Sequence, residues 1–228
     1  MSIHEGHRKR VKEKYVEYGL DVFSDVEVLE FLLFFAVPRK DTNEIAHHLL
    51  NQFGSLHGVF NASYFELLTV PGITANSATL ITFISKLQRK IEISKTKSIR
   101  IIKNSRDSAA YLIPRFKNEQ EEVMLMLCLD AKRNIICCKE LGRGTAVSVG
   151  VDCRKVTETA LKVNAVYAII AHNHPGGKLF PSVEDDSLTQ ILYKALRNVE
   201  IKLEDHLIIV DDEYVSYSDA GALNLLRY

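Results

Sequence analysis

The stretch AVYAIIAHNHPGGKLFPSVEDD, residues Ala165 to Asp186, decides how the rest of the chain is read. Ala165-Val166-Tyr167-Ala168-Ile169-Ile170-Ala171 is apolar and partly β-branched, the character of a buried strand. Side chains alternate along a strand, so His172 and His174 point the same way if the chain stays extended through both. Pro175-Gly176-Gly177 breaks the strand and Pro181-Ser182 opens a helix. With Ser182 as N-cap, Asp185 takes the third helical position beside it. Two imidazoles, a carboxylate and a hydroxyl are thereby gathered where a strand ends and a helix starts.

That donor set suits Zn2+, which in catalytic sites takes three protein ligands of N or O type and leaves a fourth position to water. A plainer reading stands beside it. Ser182-x-x-Asp185 also fits an ordinary capping box, and a single histidine is more often a core or surface residue than a ligand. The plainer reading does not explain a second histidine two positions on, at the polar end of a buried strand.

Working outward, 228 residues suffice for one large or two small domains, and 46% hydrophobic residues supply the core. The formal net charge of zero divides mildly: residues 1–103 carry 14 Lys and Arg against 11 Asp and Glu, and 104–228 carry 15 against 18. This asymmetry is too small to establish a nucleic-acid surface. No apolar run approaches the roughly 20 residues of a membrane span, and the polar start MSIHEGHRKR does not read as a signal peptide, so the expected address is the cytoplasm and no membrane partner is expected. Cys128, Cys137, Cys138 and Cys153 lack C-x-x-C spacing and read as reduced packing thiols.

In chain order, residues 4–18 form a basic amphipathic helix in which Arg8, Lys9, Arg10, Lys12 and Lys14 are candidates for phosphate contact or a solvated face. A second helix starts at Ser24-Asp25-Val26-Glu27, its FLLFFAV segment expected to be buried and Pro38 to end it. A third runs from Asp41 to about Leu50, and a fourth from about Ser63 to Leu68. Residues 91–103, with Lys95, Lys97, Arg100 and Lys103, shift to a polar basic composition and place a linker there and a domain boundary near 103. Beyond it a helix over Ser105–Phe116 is expected, then strands over Glu122–Asp130, Asn134–Glu140 and Thr145–Val151, a helix over Cys153–Asn164, the His172 strand, a helix from Ser182 to Arg197, and strands at Leu207–Val210 and Tyr214–Ser216. The expected architecture is two domains: an all-α domain over 1–103 and an α/β mixed-sheet domain over 104–228.

His172-x-His174, seven residues, Ser182, two residues and Asp185 match without a gap the signature of the JAMM (MPN+) metalloproteases. HNHP, Leu203-Glu204-Asp205-His206-Leu207-Ile208-Ile209 and Tyr214-Val215-Ser216 resemble the bacterial RadC-like (UPF0758) proteins, as do HEGHRKR, FLLFFAVPRKDTNEIAHHLL and FGSLHGVFNAS near the start. The resemblance implies a JAMM-type domain of three layers, cytidine-deaminase-like, holding Zn2+ on His172, His174 and Asp185. It implies hydrolysis of a peptide or isopeptide-like amide in a protein or peptide substrate. By the family pattern E-x-x-x-G the base is Glu140, with Glu158 a rival and Glu121 and Glu122 less favoured because they precede their strand. Ser182 would orient water or hold a developing oxyanion, and Asp205-His206 would stand behind the ligands, where a partner can fix a histidine tautomer. VPGITANSATLITFISKLQRK resembles a helix-hairpin-helix, with Thr74 where the second glycine belongs; the alternative function is therefore a DNA-repair-associated module contacting DNA through the helical domain. Gly176-Gly177-Lys178-Leu179 and Asp152-Cys153-Arg154 also depart from the family pattern. A zinc deaminase would need His-x-Glu and Pro-Cys-x-x-Cys, and neither is present.

Overall fold

The basic opening stretch forms α1 (Ile3–Tyr18), followed by α2 (Asp25–Leu33), α3 (Asn43–Phe53), α4 (Leu56–Asn61), α5 (Tyr64–Leu68) and the long α6 (Ala75–Lys95) in a computed structural model that describes residues 3–38, 40–144 and 152–225. Local chemistry starts these helices. Ser24 with Glu27, and Ser63 with Glu66, form reciprocal capping boxes on α2 and α5, and Ser55 caps α4. Gly54, at φ 79°, closes α3 in the left-handed conformation that glycine adopts without strain. The first core gathers Leu29, Leu33, Leu49, Leu67, Ala78 and Ile81, all fully buried.

The FLLFFAV segment differs from its expected form. Helical geometry stops at Leu33, tighter turns carry the chain to Val37, and Phe35 is 67% exposed. The Arg8 guanidinium terminates this segment, donating to the carbonyls of Phe34, Val37 and Lys40. The α4 helix, which no sequence pattern announced, follows the turn at Gly54.

The chain divides into two compact units between Gln88 and Arg89. The stretch 91–103, expected as a linker, is ordered: α6 continues to Lys95, one 3-10 turn spans Thr96–Ser98, and Ile102 is buried in the second unit. The reason is local, because Ile99 and Ile102 carry apolar surface into that unit's core despite the surrounding lysines.

The second unit comprises α7 (Ser105–Phe116), β1 (Val123–Leu129), β2 (Ile135–Arg143), α8 (Cys153–Lys162), β3 (Tyr167–Asn173), α9 (Val183–Arg197), β4 (Lys202–Val210), β5 (Glu213–Ser216) and α10 (Ala222–Leu225). Its five strands run in the order β2-β1-β3-β4-β5. Among the described residues only the β3 and β4 pair is parallel, which requires a crossover, and α9 supplies it. Every residue of β1 is buried, as a central strand covered on both faces demands. Met124, Met126, Ile170 and Ile208 pack with α8 and α9 on one face, and Leu125, Leu127, Ile169 and Leu207 with α7 on the other. The architecture is thus a helical unit followed by a mixed-sheet α/β unit of three layers. The strand expected at Thr145–Val151 lies outside the described residues. No helix among the described residues is long and apolar enough to cross a membrane.

Candidate metal centre

His172 sits at the end of β3, 1% exposed, level with Met124 of β1 and Ile208 of β4. The sheet holds the next turn of chain as well, because the His174 N-H donates to the Ile209 carbonyl at 3.0 Å. Gly177 then returns its N-H to the His174 carbonyl, and a Cβ at this glycine would lie 2.9 Å from that of His174. Pro175-Gly176-Gly177 is therefore a turn that only glycine at 177 can draw so tight. The chain crosses to α9, whose N-cap Ser182 sets Asp185 facing both rings.

The three ligand atoms converge. His172 Nε2 lies 2.9 Å from His174 Nε2 and 2.9 Å from Asp185 Oδ1, and His174 Nε2 is 3.5 Å from Asp185 Oδ2. A tetrahedral ion with bonds of about 2.0–2.1 Å would set its ligands roughly 3.3 Å apart, so the observed separations bracket what such an ion needs. A donor from each of the three residues falls within 4.8 Å of the others, and among the described residues this is the cluster of His, Cys, Asp and Glu that could hold a metal ion.

Proton placement agrees with that geometry. His174 Nδ1 is 3.1 Å from the Lys178 carbonyl, which can only accept, so Nδ1 carries the hydrogen and Nε2 presents its lone pair. Burial pushes the Asp185 carboxyl up, but the neighbouring His172 and His174 rings and the Ser182 N-H more than reverse this and hold it well below the usual carboxylate range. The same carboxylate raises His174, against the opposing effect of burial. Behind His172 lies His206 of β4, its Nε2 2.9 Å from His172 Nδ1, and burial holds that ring well below the usual histidine range.

Ser182 is occupied with Asp185: its N-H and Oγ-H both donate to Oδ2, at 2.7 and 2.8 Å, while its Oγ accepts from the Asp185 N-H at 3.1 Å. The capping box and the ligand position are thus one arrangement, with Oδ2 fixed by the helix start and Oδ1 turned to His172. Asp152 likewise caps α8, accepting from the Arg154 N-H at 2.9 Å, which accounts for its place in a departure from the family pattern.

The glutamates separate. Glu140 is held by Arg143, at 3.2 and 3.0 Å, and the strand register sets it level with Leu125, on the α7 side of the sheet. His172 is level with Met124, on the other side. Glu158 lies on the exposed face of α8 between Arg154 and Lys162. Glu122 makes a minor contribution to the upward shift of His174, which comes first from Asp185. Continued two residues beyond the paired strands, the register of Met124 with His172 would set Glu122 opposite His174. The signal was present in the period-two spacing of Glu122 and Met124, but reading it needed the knowledge that β1 and β3 are neighbours.

Comparison with known proteins accords with this site. Residues 102–222 match the RadC-like JAB domain, and residues 4–79 match the UPF0758 N-terminal domain. A UPF0758 protein of Fusobacterium nucleatum is 34% identical over 226 residues, covering 96% of this chain and 97% of its own length. Another, from Paraburkholderia xenovorans, is 33% identical over 210 residues, covering 92% of this chain and 83% of its own.

Proposed function

The chain belongs to the RadC-like JAB-domain (UPF0758) family, and from that premise we propose that it is a zinc-dependent hydrolase of the JAMM type, acting in the cytoplasm on a peptide or isopeptide-like amide bond. The observation that carries the proposal is the convergence of His172 Nε2, His174 Nε2 and an Asp185 carboxylate oxygen on one point. Two nitrogens and one oxygen are the donors that zinc accepts readily, and three protein ligands leave a position for water. When bound, zinc would supply a Lewis acid and lower the pKa of water to about 7.

The remaining work falls to side chains of this chain. A base must take the proton of the attacking water and deliver it to the leaving amine. We assign that task to Glu122 rather than Glu140, because the register of Met124 with His172, continued outward, would turn Glu122 toward His174, while Glu140 is bound to Arg143 on the other side of the sheet. Ser182 holds Asp185 in place, and to meet developing negative charge its hydroxyl would turn from Oδ2 once a substrate is seated.

Metal analysis of the purified chain, followed by a panel of peptide and isopeptide substrates with and without chelator, tests the proposal. We expect about one zinc per chain, lost in His172→Ala with the fold retained, and chelator-sensitive amide hydrolysis. Stoichiometric zinc in the His172→Ala variant would refute the ligand set, and zinc-loaded protein inert across the panel would refute the hydrolase.

A further inference from the structure

Deepening the metal-centre reading on which it rests, we infer that Thr189 and His206 form a hydrogen-bond relay that fixes the tautomer of His172 and thereby presents its Nε2 lone pair to the metal position. Thr189 lies one helical turn after Asp185 on α9, so the helix that supplies one ligand also anchors the orientation of another. Its Oγ donates to the Asp185 main-chain carbonyl at 2.6 Å. A hydroxyl has one hydrogen, and a carbonyl offers none in return. The second contact of this Oγ, 2.7 Å to His206 Nδ1, must therefore be received, and the hydrogen sits on His206 Nδ1.

The ring partners of His206 are Thr189 and His172. Neither is a carboxylate, and the ring is 1% exposed, so these two contacts accommodate the form with one hydrogen, on Nδ1. With Nδ1 protonated, its Nε2 is a bare acceptor. His172 Nδ1, 2.9 Å away, donates to it, which leaves Nε2, where His174 and Asp185 converge, as the atom that offers its lone pair when a metal is bound. The reverse relay would turn the Thr189 hydrogen onto His206, set two oxygens 2.6 Å apart with no hydrogen between them, and protonate His172 on the very atom that must bind. Tyr217 holds the His206 ring in plane, stacked at 5.0 Å and 15°, with its own hydroxyl tied to Asp186 at 2.8 Å. The two ligand histidines are thus set by different means: His174 by the carbonyl of its own loop, and His172 by two side chains from β4 and α9.

The roles are positioning ones, so the test reads proton location and metal affinity rather than turnover. In the metal-free, full-length protein, 15N spectra of the imidazoles should show His206 protonated on Nδ1 and bare on Nε2, with a hydrogen on His172 Nδ1. A His206 protonated on Nε2 overturns the relay. In Thr189→Val, which keeps the shape and removes the hydroxyl, zinc affinity measured against a chromophoric chelator should fall by about 10–100-fold, and Thr189→Ser should restore it. Unchanged affinity in the valine variant also overturns the relay. Failure of the wild type to take up zinc, with His206 still in the stated tautomer, would count against the proposed function and leave the relay supported.

Discussion

At the scale of single residues, the glutamates show how little a residue type says without its neighbours. Glu140 and Glu122 both border the same strand pair, but one is paired with the Arg143 guanidinium and the other contributes, in a small way, to the upward shift of His174. Glu122→Gln should leave zinc bound and abolish amide hydrolysis, whereas Glu140→Gln should leave turnover near that of the wild type; steady-state kinetics on metal-loaded variants decides between them, and the opposite result would return the base to Glu140. Asp205 makes a second case. It is 3% exposed, accepts from the His206 and Ser218 N-H groups and the Ser216 hydroxyl, and burial pushes its carboxyl up to about 6. A carboxyl raised in the folded state contributes stability that is complete below its unfolded value near 4 and is lost as the pH rises through 6. Raising a carboxyl from near 4 to about 6 corresponds to about 3 kcal/mol. Asp205→Asn cannot ionise, so the stability of the variant relative to the wild type should rise by about that amount between pH 4 and pH 7. Urea unfolding across that range measures it, and a gap that does not change with pH would show that the Asp205 carboxyl titrates normally.

At the scale of elements, the turn between α5 and α6 bears on contact with nucleic acid. A phosphate-binding hairpin turn needs free backbone N-H groups at a helix start. Here the Ile73 N-H donates to the Val70 carbonyl at 3.1 Å, and the Thr74 N-H donates to Ser77 Oγ at 2.8 Å. Thr74 also takes the Ser77 N-H on its own hydroxyl, at 3.3 Å, so it acts as a helix cap rather than as the missing glycine. Gly72 is retained for packing, since a Cβ there would lie 2.7 Å from Ile45 Cγ1, at a φ of 86°. On the first helix, Arg8 and Lys14 are engaged within their own unit, by carbonyls and by Glu27. DNA affinity should consequently be weak even at low salt, without the steep salt dependence that several phosphate contacts produce. Fluorescence anisotropy with single- and double-stranded oligonucleotides over a salt series checks this, and tight binding that falls steeply with salt would restore the DNA-binding alternative.

At the scale of the whole molecule, the division into two units predicts separable behaviour. Both apolar clusters that sandwich the sheet, and all three candidate metal-binding residues, come from beyond Arg89. The ordered start of that unit belongs with it, because Arg89 pairs with Glu119 and donates to the Arg115 carbonyl at 2.6 Å. A chain beginning at Arg89 should therefore fold with an intact near-ultraviolet spectrum and bind zinc with the stoichiometry and affinity of the full chain. Loss of zinc on removal of the first 88 residues would mean that the helical unit completes the centre.

The sequence alone determined the candidate metal-binding residues and most of the fold, because both are local. Short continuous apolar runs, the Ser182 and Asp185 spacing, the Pro-Gly-Gly break and the cap residues all act within about ten residues, the range over which chain geometry dictates what faces what. Tertiary structure alone decided which strands are neighbours and in what register. That choice turned Glu140 to the far side of the sheet, fixed the register that, continued outward, would set Glu122 opposite His174, and put His206 behind His172. It also drew Ile99 and Ile102 into the core from a stretch whose lysines read as a linker. These outcomes depend on burying two faces of one sheet at once, a condition that spans more than a hundred residues and leaves no mark in any single segment.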